Sequence, residues 1–350
     1  AAAPTAVFFS SAASLRGAAR LGGADARRRP LPLLPRSKEA ELLAVVEEFY
    51  ERGTPDDLLF AVLTLIDAFV TEVAACRVQR GAGPGALWCM LSNCWRPIVE
   101  CVQDEQCRAA LQCLAACDDR DQVGQYRCIA SYESDLLEQF SLCILQRHNC
   151  LGNAAEIPRQ PQVPPLAEWR GRPLSHEAAE EILAGHLVRN NERQSWRVVA
   201  GQNPAYDFFP NQLQLFYRER KAFWYDPVFQ VRTLDGREVW RRRHYRVTRR
   251  GEPGTFRFSV LDNGVTSLED WTVVHCADDL EWALFFYAGA AAAAGLSYTG
   301  AILASRDGGW PADAEALAAA LERASIKSWE LYPVDNSGGL EGAPLDLTAP

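Results

Sequence analysis

Trp88-Cys89-Met90-Leu91-Ser92-Asn93-Cys94-Trp95-Arg96-Pro97-Ile98-Val99-Glu100-Cys101 opens a stretch, running on to Cys150, in which cysteines recur among helix-forming residues. The remaining ones are Cys107, Cys113, Cys117, Cys128, Cys143 and Cys150. With Cys76 the region holds ten of the chain's 11 cysteines, and only Cys276 lies outside it. A disulfide framework, a metal site and a set of redox thiols are the three readings. Structural zinc sites present close Cys-x2-Cys pairs, often with histidines at matching intervals. Here the intervening residues number four, six, five, five, three, ten, fourteen and six, His148 is the only histidine in the stretch, and no Cys-x-x-Cys-His occurs. The expectation is therefore a disulfide-stapled helical module without metal, which calls for an oxidising compartment.

Geometry restricts the pairing. Residues seven apart on a straight helix lie roughly 10 Å apart along its axis, beyond disulfide reach. A Cys94–Cys101 bridge thus requires a helix break, which Pro97 offers, and a Cys143–Cys150 bridge requires the helix to end near Arg147 to Asn149. Cys113 and Cys117 share a helical face and each reach for a second helix, such as Gly124 to Leu145.

Upstream, residues 1–36 read as a transit-like, disordered segment. Ala, Ser and Arg dominate from Ser10 to Arg29, with Asp25 the only acid, a composition shared by organelle transit peptides and plain basic tails. Residues 37–80 read as a helical pair. Ser37 caps the first helix, and Thr54-Pro55-Asp56-Asp57 starts the second with a cap, a proline and two acids at the positive dipole end. The apolar run Leu58 to Ala75 is broken by Asp67 and Glu72 and is too short and too charged to span a membrane. A net charge of −9 disfavours generic nucleic-acid binding.

Downstream of the cysteine module (86–151), prolines at 158, 161, 164 and 165 mark a linker, and 152–194 ends in a short helix, Ser175 to Leu187. From Ser195 the hydrophobic period becomes two. Eight strands are predicted: Trp196–Ala200, Gln212–Arg218, Phe223–Thr233, Glu238–Val247, Phe256–Leu261, Trp271–Cys276, Trp282–Tyr287 and Tyr298–Ala304. Asp235-Gly236 and Asn263-Gly264 are hairpin signals. Short turns between successive strands predict an up-and-down antiparallel barrel of ligand-holding size over 195–310. Residues 311–350 hold a C-terminal helix, Pro311 to Ser325, and a tail. The fold class is α+β.

The module followed by Ser195-Trp196-Arg197-Val198-Val199-Ala200-Gly201-Gln202-Asn203-Pro204-Ala205-Tyr206-Asp207 resembles the violaxanthin de-epoxidase family, lipocalin-like barrels with a cysteine-rich N-terminal domain. The stretches Asp226–Leu234, Trp240–Tyr245 and Phe258–Gly264 look like its de-epoxidase-related branch. The resemblance runs from about Trp88 to Asp335. It implies the chloroplast, in the thylakoid lumen or at the thylakoid membrane surface, and removal of an epoxide from a xanthophyll, with ascorbate as co-substrate and no metal. Further implied partners are the thylakoid galactolipid surface and either a homodimer or a photosynthetic membrane complex, without nucleic acid.

Opening an epoxide needs a proton, and a partly buried carboxylic acid is the natural donor. The family's Asp-Trp pair falls on Asp270 and Trp271, and a second acid falls on Asp207. Tyr287 and Tyr298 match family tyrosines that bind substrate or orient the acid. Two family histidines are replaced by Gln214 and Tyr217, a tyrosine by Ala304 and an arginine by Ala288. The resemblance further implies the pairs Cys89–Cys107, Cys94–Cys101, Cys113–Cys128 and Cys143–Cys150. Gly124 stands where the partner of Cys117 would be, with Cys76 as a substitute. The family's barrel staple is lost at Asn211, leaving Cys276 as a buried thiol.

Plainer readings stand beside these. Asp270 is equally a strand-border acid facing water, and Asp207 a turn-stabilising side chain. Trp271, Tyr287 and Tyr298 pack the barrel whether or not it holds a ligand. Arg241-Arg242-Arg243-His244 alternates faces on a strand and meets either acids of another domain or anionic head groups. Three functions compete: an enzyme reducing or isomerising a carotenoid epoxide with Asp270 as proton donor, a non-catalytic carotenoid- or lipid-binding lipocalin or photosystem-associated accessory, and a thiol redox sensor.

Overall fold

Between Trp196 and Ser305 side chains alternate between a shared interior and the outside, and the strands that carry them close on themselves. The structure is a computed structural model, and it describes residues 54, 76–78, 85–117, 121–189, 193–203 and 209–347. The transit-like segment, most of the helical pair and Asp207 lie outside the described residues. Within 76–78 the backbone is a strand, β1 (Cys76–Val78), not a helix end, and it pairs with Leu296–Tyr298.

The barrel strands are β4 (Trp196–Gly201), β5 (Leu213–Glu219), β6 (Ala222–Arg232), β7 (Glu238–Arg242), β8 (Tyr245–Arg249), β9 (Thr255–Asp262), β10 (Val265–Cys276), β11 (Trp282–Ala291) and β12 (Leu296–Ser305). Sequential neighbours pair antiparallel, and β12 returns to β4, so the sheet is a closed eight-stranded barrel in which β7 and β8 act as one interrupted strand. The expected single strand Glu238–Val247 is split for a local reason. β7 pairs with Val228–Arg232 and β8 with Phe223–Tyr225, on either side of Pro227, which has no N–H to offer the ladder. The Arg243 N–H instead donates to the Pro227 carbonyl at 3.2 Å.

One predicted boundary moves by six residues. The Asn263-Gly264 turn, with both residues at positive φ, leads straight into β10 at Val265, not at Trp271. This turn also tucks under the cysteine module, where a Cβ on Gly264 would lie 2.5 Å from the Glu138 carbonyl.

The interior is packed with rings. Phe216 stacks on Tyr225 with centroids 4.5 Å apart, and Phe258 on Trp271 at 4.6 Å. Helix α6 (His176–Arg189), started by Ser175 accepting from the Ala178 N–H, sends Ala179, Ile182 and Leu183 into this core. The helix kinks at Gly185 (φ 48°), where Trp196 passes so close that a Cβ would lie 2.7 Å from its Nε1. The hairpin β2 (Glu168–Trp169) and β3 (Arg172–Pro173) packs beside it. On the outside, helix α7 (Ala314–Arg323), capped by Asp313, lays Ala320 and Leu321 against Val199, Leu284 and Leu303. The expected irregular tail makes a two-residue strand, β13 (Tyr332–Pro333), on β4 and anchors Leu345.

The cysteine module comprises α1 (Ala86–Asn93), α2 (Trp95–Gln103), α3 (Glu105–Ala116), α4 (Gln122–Ser131) and α5 (Asp135–Ser141), which continues as a π-turn over Leu142–Arg147. All eight expected cysteines are bonded, but three of the four expected pairs are exchanged. The bridges are Cys89–Cys150, Cys94–Cys143, Cys101–Cys107 and Cys113–Cys128. Pro97 does not break a helix, because it sits in the first turn of α2 where its missing N–H has no partner to lose. No break therefore separates Cys94, the N-cap of α2, from Cys101 within that helix. The break comes at Asp104, which ends α2, turns extended and caps α3 by accepting from the Cys107 N–H at 2.7 Å. That turn brings Cys101 and Cys107 together, with Cα atoms 5.1 Å apart. Cys143 and Cys150 pair instead with the first helices, tying the module's two ends to each other.

Arg241 and Arg243 of the arginine run meet this module. Arg241 pairs with Glu133 at 3.0 Å and donates to the Ala130 carbonyl at 2.7 Å. Arg243 donates to the Tyr126 hydroxyl at 2.6 Å and pairs with Asp262 at 2.7 Å. Among the described residues no helix is long and apolar enough to cross a membrane.

Candidate active site

β10 decides what faces the interior. Glu269, Trp271 and Val273 alternate inward, whereas Asp270 and Thr272 face out. Asp270 lies on the outer wall, about one-third exposed, in a two-pronged pair with Arg257 at 2.5 and 2.9 Å, with Arg250 at 3.8 Å. It sits mid-strand on the outward side of β10 and not at a strand border.

The carboxyl that points into the barrel is its neighbour, Glu269, 6% exposed as a residue. The Trp271 indole N–H donates to its Oε2 at 2.7 Å, and the Tyr298 hydroxyl donates to its Oε1 at 2.8 Å. Burial pushes the Glu269 carboxyl above the ordinary carboxylate range, and the Trp271 and Tyr298 donors oppose that rise in part. Gln212, Tyr225, Tyr245, Trp271, Tyr287 and Tyr298 line the same space, with Pro227, Phe229 and Ile302, and none of them carries positive charge. Trp271 and Tyr287 stack with centroids 5.2 Å apart. The free cavity is about 30 Å³, room for on the order of one or two waters.

The structure thus brings together Trp271, Tyr287 and Tyr298, three of the residues singled out from sequence. Gln214 is buried on β5 and donates to the Gln212 side-chain oxygen at 3.2 Å. Tyr217 belongs to a different cluster, where its hydroxyl donates to Asp226 at 3.0 Å beside Leu213, Leu215 and Leu345. Burial pushes the Tyr217 phenol up to about 12. Asp226, itself fully buried, is further held by Arg242 and by His244 at 2.7 Å. Sequence reasoning missed Glu269, Gln212, Tyr225 and Tyr245. The signal for Glu269 was present: a strand starting directly after Asn263-Gly264, with Trp271 inward, places position 269 inward and 270 outward.

The sulfurs of Cys113, Cys117 and Cys128 lie within 4.8 Å of one another. With Cys113 bonded to Cys128, only Cys117 of the three offers a thiol, and its Sγ lies 3.6 Å from that of Cys128. Cys276 is a buried thiol, as expected.

A family model described as the VDE lipocalin domain matches residues 86–336. The chloroplastic violaxanthin de-epoxidase of Nicotiana tabacum is 22% identical over 179 residues, covering 51% of this chain and 34% of that protein. Its Arabidopsis thaliana counterpart is 23% identical over 133 residues, 37% of this chain and 26% of that protein. The chain therefore spans about a third of the length of the curated relatives it matches. Among solved structures, lobster apocrustacyanin A1 is 15% identical with a TM-score of 0.33, covering 53% of this chain and 96% of that one.

Proposed function

We propose, since the chain belongs to the VDE lipocalin domain family, that it acts on a xanthophyll epoxide in the manner of a violaxanthin de-epoxidase, with Glu269 rather than Asp270 delivering the proton. The observation that carries this reading is a buried carboxyl inside a closed aromatic barrel, held by two neutral donors and by no cation. An acid whose burial favours its protonated form is the group an epoxide oxygen needs as its C–O bond breaks. Trp271 and Tyr287 supply flat apolar walls against an isoprenoid ring, and Tyr298 holds the carboxyl in place.

Reductive de-epoxidation removes the oxygen as water and consumes two electrons and two protons, which ascorbate supplies as it becomes dehydroascorbate. Isomerisation needs no reductant, because the proton given to the oxygen is balanced by one lost from a neighbouring carbon. The compartment is the chloroplast's thylakoid lumen. The four disulfides and the chloroplastic relatives support that compartment. Substrate arrives from the galactolipid surface, and a homodimer or a photosynthetic membrane complex accommodates its length.

A second reading, pigment or lipid binding without turnover, is favoured by Gln214 and Tyr217 standing where the family resemblance places two histidines. A cavity of about 30 Å³ admits water but no ring, so the aromatic lining must part before a pigment enters. The two readings separate when oxidised protein is mixed with violaxanthin in galactolipid at acidic and neutral pH, with and without ascorbate, and the pigments are resolved by chromatography. Glu269→Gln is expected to cut turnover by roughly 10²–10⁴-fold, and Asp270→Asn to leave it within a few-fold. Turnover that survives Glu269→Gln removes the assigned acid. Tight pigment binding with no product under any condition favours the second reading.

A further inference from the structure

The interior of the barrel is built in cross-strand rows, and two of these carry a glycine on β11 or β12. One row runs Phe258, Glu269, Gly289, Tyr298 across β9, β10, β11 and β12. The next runs Phe256, Trp271, Tyr287, Gly300 across the same strands. Both glycines lie in ordinary strand backbone, with no left-handed φ to explain them. Glycine inside a strand costs conformational entropy and contributes no packing, so its use here calls for a steric reason.

That reason is visible above each one. A Cβ on Gly289 would lie 2.5 and 2.6 Å from Cε2 and Cζ of Tyr298 and 2.9 Å from Cγ of Glu269. A Cβ on Gly300 would run into the Tyr287 ring. Each tyrosine lies flat across the gap left by a glycine on an adjoining strand. For the first row the consequence is chemical. β10 and β12 are two strand spacings apart, about 9–10 Å. Glu269 and Tyr298 meet only by reaching over β11, and they do so at Gly289, where the hydroxyl and carboxylate oxygens stand 2.8 Å apart.

We propose that Gly289 is a positioning residue for the site: by carrying no side chain it opens the passage through which the Tyr298 hydroxyl reaches Glu269, and so sets the proton affinity of that carboxyl. The groups that line the cavity with Glu269 include Trp271 from its own strand, Tyr298 from β12, Tyr287 from β11, Tyr245 from β8, Tyr225 from β6 and Gln212 just before β5. None is charged at neutral pH, so the two donated hydrogen bonds are the contacts that hold the ionised form. Removing either one favours the protonated acid.

The inference rests on Glu269 as the carboxyl of the proposed site, but its test needs no substrate. The carboxyl C=O band of Glu269 is followed by infrared difference titration in wild type, Gly289→Ala, Tyr298→Phe and the double variant, with Glu269→Gln identifying the band. Gly289→Ala is expected to shift the titration midpoint upward, in the direction and size of Tyr298→Phe. The double variant is expected to titrate with the single ones, since both remove the same contact. A Gly289→Ala midpoint equal to wild type, or shifts that add in the double variant, overturns the proposal.

If Gly289→Ala is too unstable to titrate, Gly289→Ala with Tyr298→Ala is expected to recover the fold, because the two closest clashes are with that ring. A double variant no more stable than Gly289→Ala alone overturns the proposal equally. Shifted midpoints with no pigment turned over by any variant would leave this inference standing and remove the enzymatic one.

Discussion

Glu269 and Asp270 are adjacent carboxyls with opposite fates, because successive strand residues face opposite sides. The buried one leaves a signature in stability. Its folded-state proton affinity is raised by burial, while in the unfolded chain it titrates near the ordinary value of about 4.3. The native state therefore holds more protons than the unfolded state between those two midpoints, and stability must fall as pH rises through that window. Urea denaturation at a series of pH values is expected to show this decline in wild type and its absence in Glu269→Gln. An unchanged slope in Glu269→Gln would mean that another group carries it. Asp270→Asn removes a partly exposed pair with Arg257 and is expected to cost about 1 kcal/mol or less. The sequence reading singles out Asp270, and the strand turns its neighbour Glu269 inward instead. Trp271 fixes the inward phase, but the strand was begun at Trp271, which left both acids in a loop with no face to tell them apart.

At the level of elements, most of the barrel was legible because its punctuation is chemical. Asp235-Gly236 and Asn263-Gly264 make the turns they announce, with positive φ at Gly236, Asn263 and Gly264. Two features were hidden because they depend on a neighbour in space. Pro227 splits the strand opposite it, and Pro97 leaves its own helix intact. The split matters for assembly, since it frees Arg243 to meet Tyr126 on α4 and Asp262 on β9 at once. Burial raises the Asp262 carboxyl and the Arg243 guanidinium opposes that rise. Arg243→Met strips a partly buried carboxylate of its cation and the Tyr126 hydroxyl of its donor, at an expected cost of about 1–3 kcal/mol. Arg243→Lys keeps the charge and loses the fork that spans two partners, so an intermediate loss is expected. Chemical denaturation of both variants checks the order. Equal stability of all three proteins would show that the contact does not fasten the module to the barrel.

On the scale of the whole molecule, the bridges divide the chain into parts held by different means. The four bridges among the described residues lie between Cys89 and Cys150, and the barrel, with Cys276 a free thiol, relies on its ring-filled core. Cys89–Cys150 and Cys94–Cys143 close loops of 61 and 49 residues, joining the module's first helices to its last turn. Local stapling, as the family resemblance implied, would close only short loops and leave those ends independent. Closing a long loop removes more freedom from the unfolded chain, so each of the two long bridges is worth about 2–5 kcal/mol to the module. Non-reducing digestion and mass spectrometry are expected to yield Cys89–Cys150 and Cys94–Cys143 peptides and none joining Cys89 to Cys107. With reductant, the helical far-ultraviolet signal should be lost at lower denaturant than the near-ultraviolet signal of the barrel tryptophans Trp196 and Trp271. Loss of both signals in one transition would mean that the barrel cannot stand without its stapled cap, and the peptide map alone would then carry the case for end-to-end closure.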